Sequence, residues 1–498
     1  MTKFIRFLRQ LLISLGCLVL VASCSLNPNQ TDSAKQLTVA TEPAFPPFEV
    51  QAASGKLEGF DIDVINAIGK AANFNVQFQS LPFDGIIPAL QSKTVDAAIS
   101  AITITPERLN TISFSQPYFK AGLAIAVRAN NTDITNFDSL KNKKIAVQIG
   151  TTGAKKAQSI PGVQIRTFDS APLALQELFN GNVDAVINDA PVTLYALKTG
   201  NLQGIKVVSQ LLTEEYYGIA TAKNSPNLKA INQGLTSILN NGTYAQIYQK
   251  WFNTQPPPLP KTLPGATPRG VLSSPSVILT ALPNLLRGAL VTLQLTALSV
   301  FLGMIAGSLI GIARLSKVKP IGWAARVYID FFRGTPLLVQ IFMIYFGLPA
   351  LMQEFGLNFN LDRLVGAVTA LSLNSAAYLA EIVRAGIQSI EPGQAEAAQS
   401  LGMSSSQTIR YIIFPQALRR MLPPLGNEFI TLLKDTSLVA IIGFEELFRR
   451  GQLIVATNYR AFEIYTAIAL IYLCLTVLSS HLFSFLERLM NPIRNTSN

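Results

Sequence analysis

The chain has 498 residues, 49% of them hydrophobic and only 14% charged, with a formal net charge of +11. That balance is too apolar for an ordinary soluble protein, so part of the chain lies in lipid. The positive excess sits in ones and twos beside apolar spans, without a basic stripe interleaved with aromatics, which argues against nucleic acid as a partner. Cys17, Cys24 and Cys474 all fall in apolar segments and His481 is the single histidine, so neither a disulfide framework, a metal site nor a His-based catalytic constellation is legible.

Lys3, Arg6 and Arg9 precede the apolar run Leu11 to Ala22, the layout of a secretory signal over residues 1–24. Val21-Ala22-Ser23-Cys24 resembles a lipobox. A lipidated Cys24, a plain cleaved signal and an uncleaved anchor all stay open, and each exports the next segment of the chain.

Residues 36–254 alternate strand-like and helix-like units. Leu37–Ala40, Val95–Ile99, Lys144–Val147 and Val183–Ile187 read as strands, and Phe60–Ala72 as a helix with Asp61 as its cap. Such alternation predicts α/β layers with parallel sheets, whose ligands bind outside the carboxyl ends of the strands. Those ends carry Glu42, Phe45 and Phe48, then Ser100, Ala101, Thr103 and Arg108, then Gln148, Gly150, Thr151 and Thr152, and finally Asn188 and Asp189. Aromatic walls, one guanidinium, hydroxyls and isolated carboxylates are the inventory for a zwitterion. Phe48 is assigned to the core. Tyr118–Gly122 and Tyr217–Ala220 are the expected crossings between two lobes, with Gly122 and Gly218 tolerating unusual backbone angles.

Ala44-Phe45-Pro46-Pro47-Phe48, Gly59-Phe60-Asp61-Ile62-Asp63, Phe83 through Leu90, Ile102 through Arg108, Asn241-Gly242-Thr243-Tyr244 and Lys250-Trp251-Phe252 occur in this order. Together they resemble the periplasmic polar amino-acid-binding proteins, nearest the glutamine and lysine/arginine/ornithine branches. The resemblance implies a two-lobed periplasmic binding protein fold (type II) that closes over its ligand. It also implies roles. Phe45 and Phe83 would sandwich the ligand side chain. Arg108, Thr103 and a backbone N–H near Ala101 would hold the carboxylate, and Asp189 with Ser100 the ammonium. Glu42 and Asp61 would meet the ligand side chain, with Thr152 and Gln148 on the opposite lobe. Gln148 stands where glutamine receptors carry Lys, which leans the pocket towards a basic or amide side chain.

Gln255-Pro256-Pro257-Pro258-Leu259-Pro260, with Pro264, Gly265 and Pro268, reads as a stiff linker over 255–270. Beyond it, residues 280–490 hold five expected spans: 283–313, 325–352, 363–387, 426–447 and 463–487. Ionisable or polar residues inside them, Asn374, Glu381, Lys434 and Asp435, are candidates for a transmembrane pathway, although Glu381 and Arg384 are spaced to pair with each other. Between two spans lies a polar loop. Pro392 starts a short helix with Glu396, Ala397 and Ala398, Gly402 turns the chain, Ser404 and Gln407 form a capping box, and Pro415 is expected to stop the second helix.

That loop resembles the EAA coupling loop of ABC importer permeases. Gly288–Leu293 and Phe331–Gln340 resemble polar amino-acid permeases of the same type. The implied domain is an all-α five-helix transmembrane permease in the bacterial inner membrane, with the binding domain outside the cytoplasm. The sequence contains no G-x-x-x-x-G-K-[ST] phosphate loop, so ATP and Mg would be held by a separate ATPase subunit seated on the coupling loop, and no cofactor is expected on this chain. One permease domain per chain implies a homodimer. The rival reading, a ligand-gated ion channel on the same receptor fold, would need a selectivity filter resembling TVGYG, and none occurs.

Overall fold

Strand–helix alternation gives two α/β lobes of the same plan. In the computed structural model, residues 35–490 are described except 199–203, 210–211, 261, 265–276, 317, 358 and 360, so the expected signal over 1–24 and most of the linker's second half lie outside the described residues. The first lobe's sheet runs Phe74–Ser80, Lys35–Thr41, Ala97–Ala98, Ala220–Ala222, Ile112–Phe114. The second runs Gln164–Phe168, Lys144–Gln148, Ala185–Asp189, Leu123–Arg128, Ile205–Ser209. In both sheets the first three strands are parallel and the returning strands antiparallel. Asn188 and Asp189, read as following a strand, instead form its last two residues.

The lobes are joined by a two-stranded ribbon, Phe119–Ala121 against Glu215–Tyr217. The second crossing therefore begins two residues before the expected one. Neither Gly122 nor Gly218 serves by an unusual backbone angle: φ is positive at neither, and a Cβ on Gly218 would meet Ile104 and Phe114 side-chain carbons at 2.9 Å. Close packing at the hinge requires the glycine. Phe48, fully buried, packs edge-on to Phe60, Phe119 and Tyr217, tying the C-terminal helix Thr243–Phe252 to the first lobe through Phe252. Each such burial contributes roughly 1.5–3 kcal/mol, which offsets the absence of cysteines in this domain.

The second half is helical. Val277–Arg314, Arg363–Gln388 and Ala461–Met490 are each long and apolar enough to cross a membrane, and Lys319–Gly334 with Leu337–Met352 forms a pair bent by 107°. Gly303, Gly307 and Gly311 let the first of these helices lie against the second; a Cβ on Gly307 would sit 2.7 Å from the Ala376 carbonyl and one on Gly311 2.6 Å from that of Ala380. Leu290, Phe301, Leu473 and Phe485 face outward, as lipid contact requires. The expected span 426–447 is corrected: helix Phe414–Asp435 passes into a 3-10 turn, Thr436–Ile442, and the chain reverses at Gly443 with φ +70°.

The coupling loop matches its sequence signals up to one point. Helix Pro392–Ser400 ends at Gly402 with φ +82°, and the Ser404–Gln407 capping box is complete in both directions. Pro415, however, does not stop the second helix. Ile409–Ile413 widens into a π-turn, and the chain continues as Phe414–Asp435 with Pro415 in its first turn. The wider turn absorbs the missing N–H and the ring clash that end an ordinary α-helix.

Candidate functional site

The lobes lie closed on one another. Gln148 of the second lobe donates to both Glu42 oxygens of the first, at 2.9 and 2.8 Å, and Lys155 pairs with Glu107 at 2.5 Å. Arg108 crosses the cleft: Nη1 donates to the Thr103 carbonyl at 2.7 Å and Nη2 to that of Gly150 at 2.9 Å, with the guanidinium 5.4 Å from the centre of the Phe83 ring. Thr105 caps the short helix that carries Arg108.

A narrow cavity between the lobes is lined by Phe45, Phe83, Ala101, Thr103, Arg108, Gln148, Thr151, Thr152 and Asp189, all named from sequence. Glu42, Asp61 and Ser100, expected to contact the ligand, fall outside that lining. Asp61 lines no part of the cavity; its Oδ2 accepts the Ala101 N–H at 2.8 Å and the Tyr118 hydroxyl at 2.8 Å. The N–H of Ala101 is thereby spent on Asp61 instead of facing a ligand carboxylate. Ala101 has φ +47°, uncommon for a residue with a side chain, and Asp61 holds that turn in place. Ser100 is likewise behind the wall, donating to Glu49 at 2.8 Å and accepting the Glu42 N–H at 3.0 Å.

The cavity has two electrostatic ends. At one, Asp189 accepts from the Tyr217 hydroxyl, and burial, then repulsion from Glu215, pushes its carboxyl up to about 7. Glu215 Oε2 accepts from Thr103 at 2.9 Å and Thr152 at 2.8 Å, one hydroxyl from each lobe. At the other end, behind Gln148 and outside the cavity lining, burial pushes Glu42 up to about 8; the bond from Gln148 opposes that shift, and Asp84 and Asp169 add to it. Behind the wall, burial raises Asp61 to about 7 and Glu49 well above the carboxylate range, the latter further raised by Asp61. Sequence reading missed Glu49, Asp84, Asp169 and Glu215. Glu214-Glu215 directly before the Tyr-Tyr-Gly of a hinge strand was the one available signal.

In the membrane half, a groove is lined by Arg333, Tyr378, Glu381, Arg420, Asn427 and Glu428 among others. Glu381 pairs with Arg384, as its spacing implied, and lines this groove. Asn374 does not. It donates to Gln340 at 2.9 Å, and Gln340 donates to the Phe332 and Thr335 carbonyls at 2.8 and 3.0 Å, so both cap the broken helix at Gly334. Lys434 is exposed and Asp435 half-buried, outside the groove lining.

The receptor sits on the membrane half through a shared apolar cluster, with Phe168, Leu175 and Leu178 against Tyr345, Phe346 and Ile442. Tyr345 donates to Glu177 at 2.7 Å, and Arg166 pairs with the same carboxylate at 2.7 Å. Helix Arg363–Gln388 begins beside Arg166, through Asp362, and leads into the coupling loop. Its 26 residues span about 39 Å, so receptor and coupling loop occupy opposite ends of the membrane half.

Residues 37–254 match the bacterial extracellular solute-binding proteins, family 3, and residues 299–492 the binding-protein-dependent transport system inner membrane component. The chain is 45% identical over 219 residues to the glutamine transport system permease protein GlnP of Escherichia coli (strain K12), covering 43% of this chain and 96% of that protein. It is 38% identical over 213 residues to the arginine transport system permease protein ArtQ of Bacillus subtilis (strain 168), covering 43% and 95%. Among solved structures, an ancestral arginine-binding protein bound to arginine is 44% identical, covering 44% of this chain and 99% of that one, with a TM-score of 0.43. The chain therefore belongs to the binding-protein-dependent inner-membrane transport components, as a family 3 solute-binding domain fused to the permease of an amino-acid ABC transporter.

Proposed function

We propose that this chain captures a polar L-amino acid with a basic side chain outside the cytoplasm and passes it through its own membrane half by alternating access. The observation that carries the substrate class is the acidic cluster behind the cavity-lining Gln148, where buried Glu42 accepts from Gln148 and feels Asp84 and Asp169, of which Asp169 alone is ion-paired, to Arg449 of the membrane half. A cationic side chain supplies the missing charge and ionises Glu42. At the proximal end Arg108 attracts the α-carboxylate, and Asp189 with Glu215 takes the ammonium. The relatives' transport systems named for glutamine and arginine fit an amide or basic cargo.

ATP-Mg belongs on a separate ATPase seated on residues 391–415, where Leu401 is 85% exposed and Ile409, Tyr411 and Phe414 also lie open. Glu396 and Ala397 are exposed there, whereas Ala398 is buried. The groove beside Glu381 and Glu428, open on one side, is the face for a second copy, giving a homodimer with the pathway between the subunits.

Equilibrium dialysis of labelled amino acids against the full chain in lipid nanodiscs tests the substrate class. Arginine or lysine retained, glutamate rejected and all binding lost in Arg108→Ala is the expected result. Glutamine bound in preference to both bases would move the assignment to the amide class, and no binding of any amino acid would sink it.

A further inference from the structure

Helix Leu447–Asn458 of the membrane half lies across the mouth of the receptor cleft. At its end Tyr459 adopts φ +57°, a strained angle for a bulky side chain, and packs against the first lobe's core beside Phe83 and Ile87. Near its start, Arg449 is fully buried. Its Nη1 donates to Asp169 of the second lobe and, at 3.0 Å, to Gln452, while Nε and Nη2 have no hydrogen-bond partner among the described residues. Asp84, on the first lobe, is held above the usual carboxylate range by burial and by Asp169, and the Arg449 charge pulls it back. Asp84 of the first lobe packs against Gly150 of the second, its Cβ 3.6 Å from where a Cβ on that glycine would sit, and Asp169 of the second lobe is ion-paired to Arg449, so the membrane half places its cation on the closed cleft beside a carboxylate from each lobe.

Arg449 lines no part of the ligand cavity. It therefore does not compete with the ligand side chain for a place in the pocket. Bringing Asp84 and Asp169 together without a counter-charge is unfavourable in a buried site, and a guanidinium with donors to spare removes that cost. We propose that Arg449 is an electrostatic clasp that makes closure of the receptor and its seating on the membrane half one linked event, by neutralising Asp84 and Asp169 across the cleft mouth. A ligand-closed receptor then docks better than an open one, and by reciprocity the docked receptor is held closed. This rests on the reading that the lobes close over an amino acid.

The test uses the full chain in lipid nanodiscs, carrying Cys17→Ser, Cys24→Ser and Cys474→Ser, with fluorophores on Gln91→Cys and Lys141→Cys, exposed positions on the two lobes. Single-molecule energy transfer gives the closed-to-open ratio with and without saturating arginine. Without ligand, Arg449→Ala is expected to lower that ratio at least about tenfold. Adding Asp84→Asn to Arg449→Ala should restore most of it, because the uncompensated repulsion is gone, whereas Asp84→Asn alone should change little. Rescue by the second substitution separates a clasp from damage to the helix. An unchanged ratio in Arg449→Ala, tighter closure in that variant, or no rescue by Asp84→Asn would each overturn the proposal. Failure of arginine to close even the unaltered chain would instead strike the ligand reading.

Discussion

In the receptor half, Glu42, Asp61, Arg108 and Asp189 are buried, and each has a hydrogen-bond partner from its own domain. In the membrane half, Arg333 is exposed and Glu381 and Glu428 are half-covered along a groove open to one side. The first arrangement is a finished site that a single chain can build. The second is a half-site, because ionisable groups at membrane depth persist only against protein or a water-filled path. On the proposed reading, capture is a property of one chain and passage a property of an assembly.

The sharpest way to challenge this contrast is to damage the finished site alone. Asp189→Ala removes a buried carboxylate and leaves the buried Tyr217 hydroxyl without its acceptor. It should cost about 4 kcal/mol of amino-acid affinity, roughly a thousandfold, while the oligomeric state of the nanodisc-embedded chain stays unchanged. A loss of assembly along with affinity would show that the two halves depend on one another.

A second prediction acts at the other end. Leu401→Asp on the exposed turn of the coupling loop should reduce ligand-stimulated ATP hydrolysis by the partner at least about tenfold, with amino-acid affinity unchanged. An equal fall in affinity would place this loop within the capture site.

The third follows from three carboxyls pushed up by burial: Glu42 to about 8, Asp61 to about 7 and Asp189 to about 7. Between about pH 4.5 and 8 the unfolded chain has released these protons while the folded receptor retains them. Folded protein binds more protons, so stability is full at the acid end and is lost as pH rises through the folded values. The melting temperature of the ligand-free receptor transition should fall by about 5 °C or more from pH 5 to pH 8. Arginine should offset most of that fall, and a flat profile would contradict the buried-acid picture.

The smallest effect is expected at the joint between the halves. Tyr345→Phe removes one hydrogen bond to Glu177 but keeps the ring in its apolar cluster, so it should weaken docking by about 1 kcal/mol. Energy transfer between labels on the two halves measures it.

Much of this was legible in the chain itself. The periods of 2 and 3.6 and the order of the motifs point to the two lobes, and all nine cavity-lining residues follow strand ends or helix starts that the sequence marks. What stayed hidden has a common physical cause. Glu49, Asp84, Asp169 and Glu215 lie on separate elements and acquire meaning only from long-range contacts that no local spacing reports. Asp61 misled because its family motif marks a wall support as readily as a ligand contact. Pro415 misled because the π-turn that rescues it leaves no signature in residue type. The span 426–447 misled because an apolar stretch with Gly443 inside it satisfies a length rule while folding as two pieces.

An acidic pocket completed by a cationic ligand can be probed without intermediaries by calorimetric titration of the full chain with arginine, near pH 7, in two buffers of different ionisation enthalpy. Tight binding with a buffer-dependent heat is expected, because ionising Glu42 and Asp189 releases protons as the guanidinium and the ammonium enter, and Glu42→Gln should reduce that dependence. Arginine binding with no proton released, or glutamate binding as tightly as arginine, would show that the pocket does not work this way.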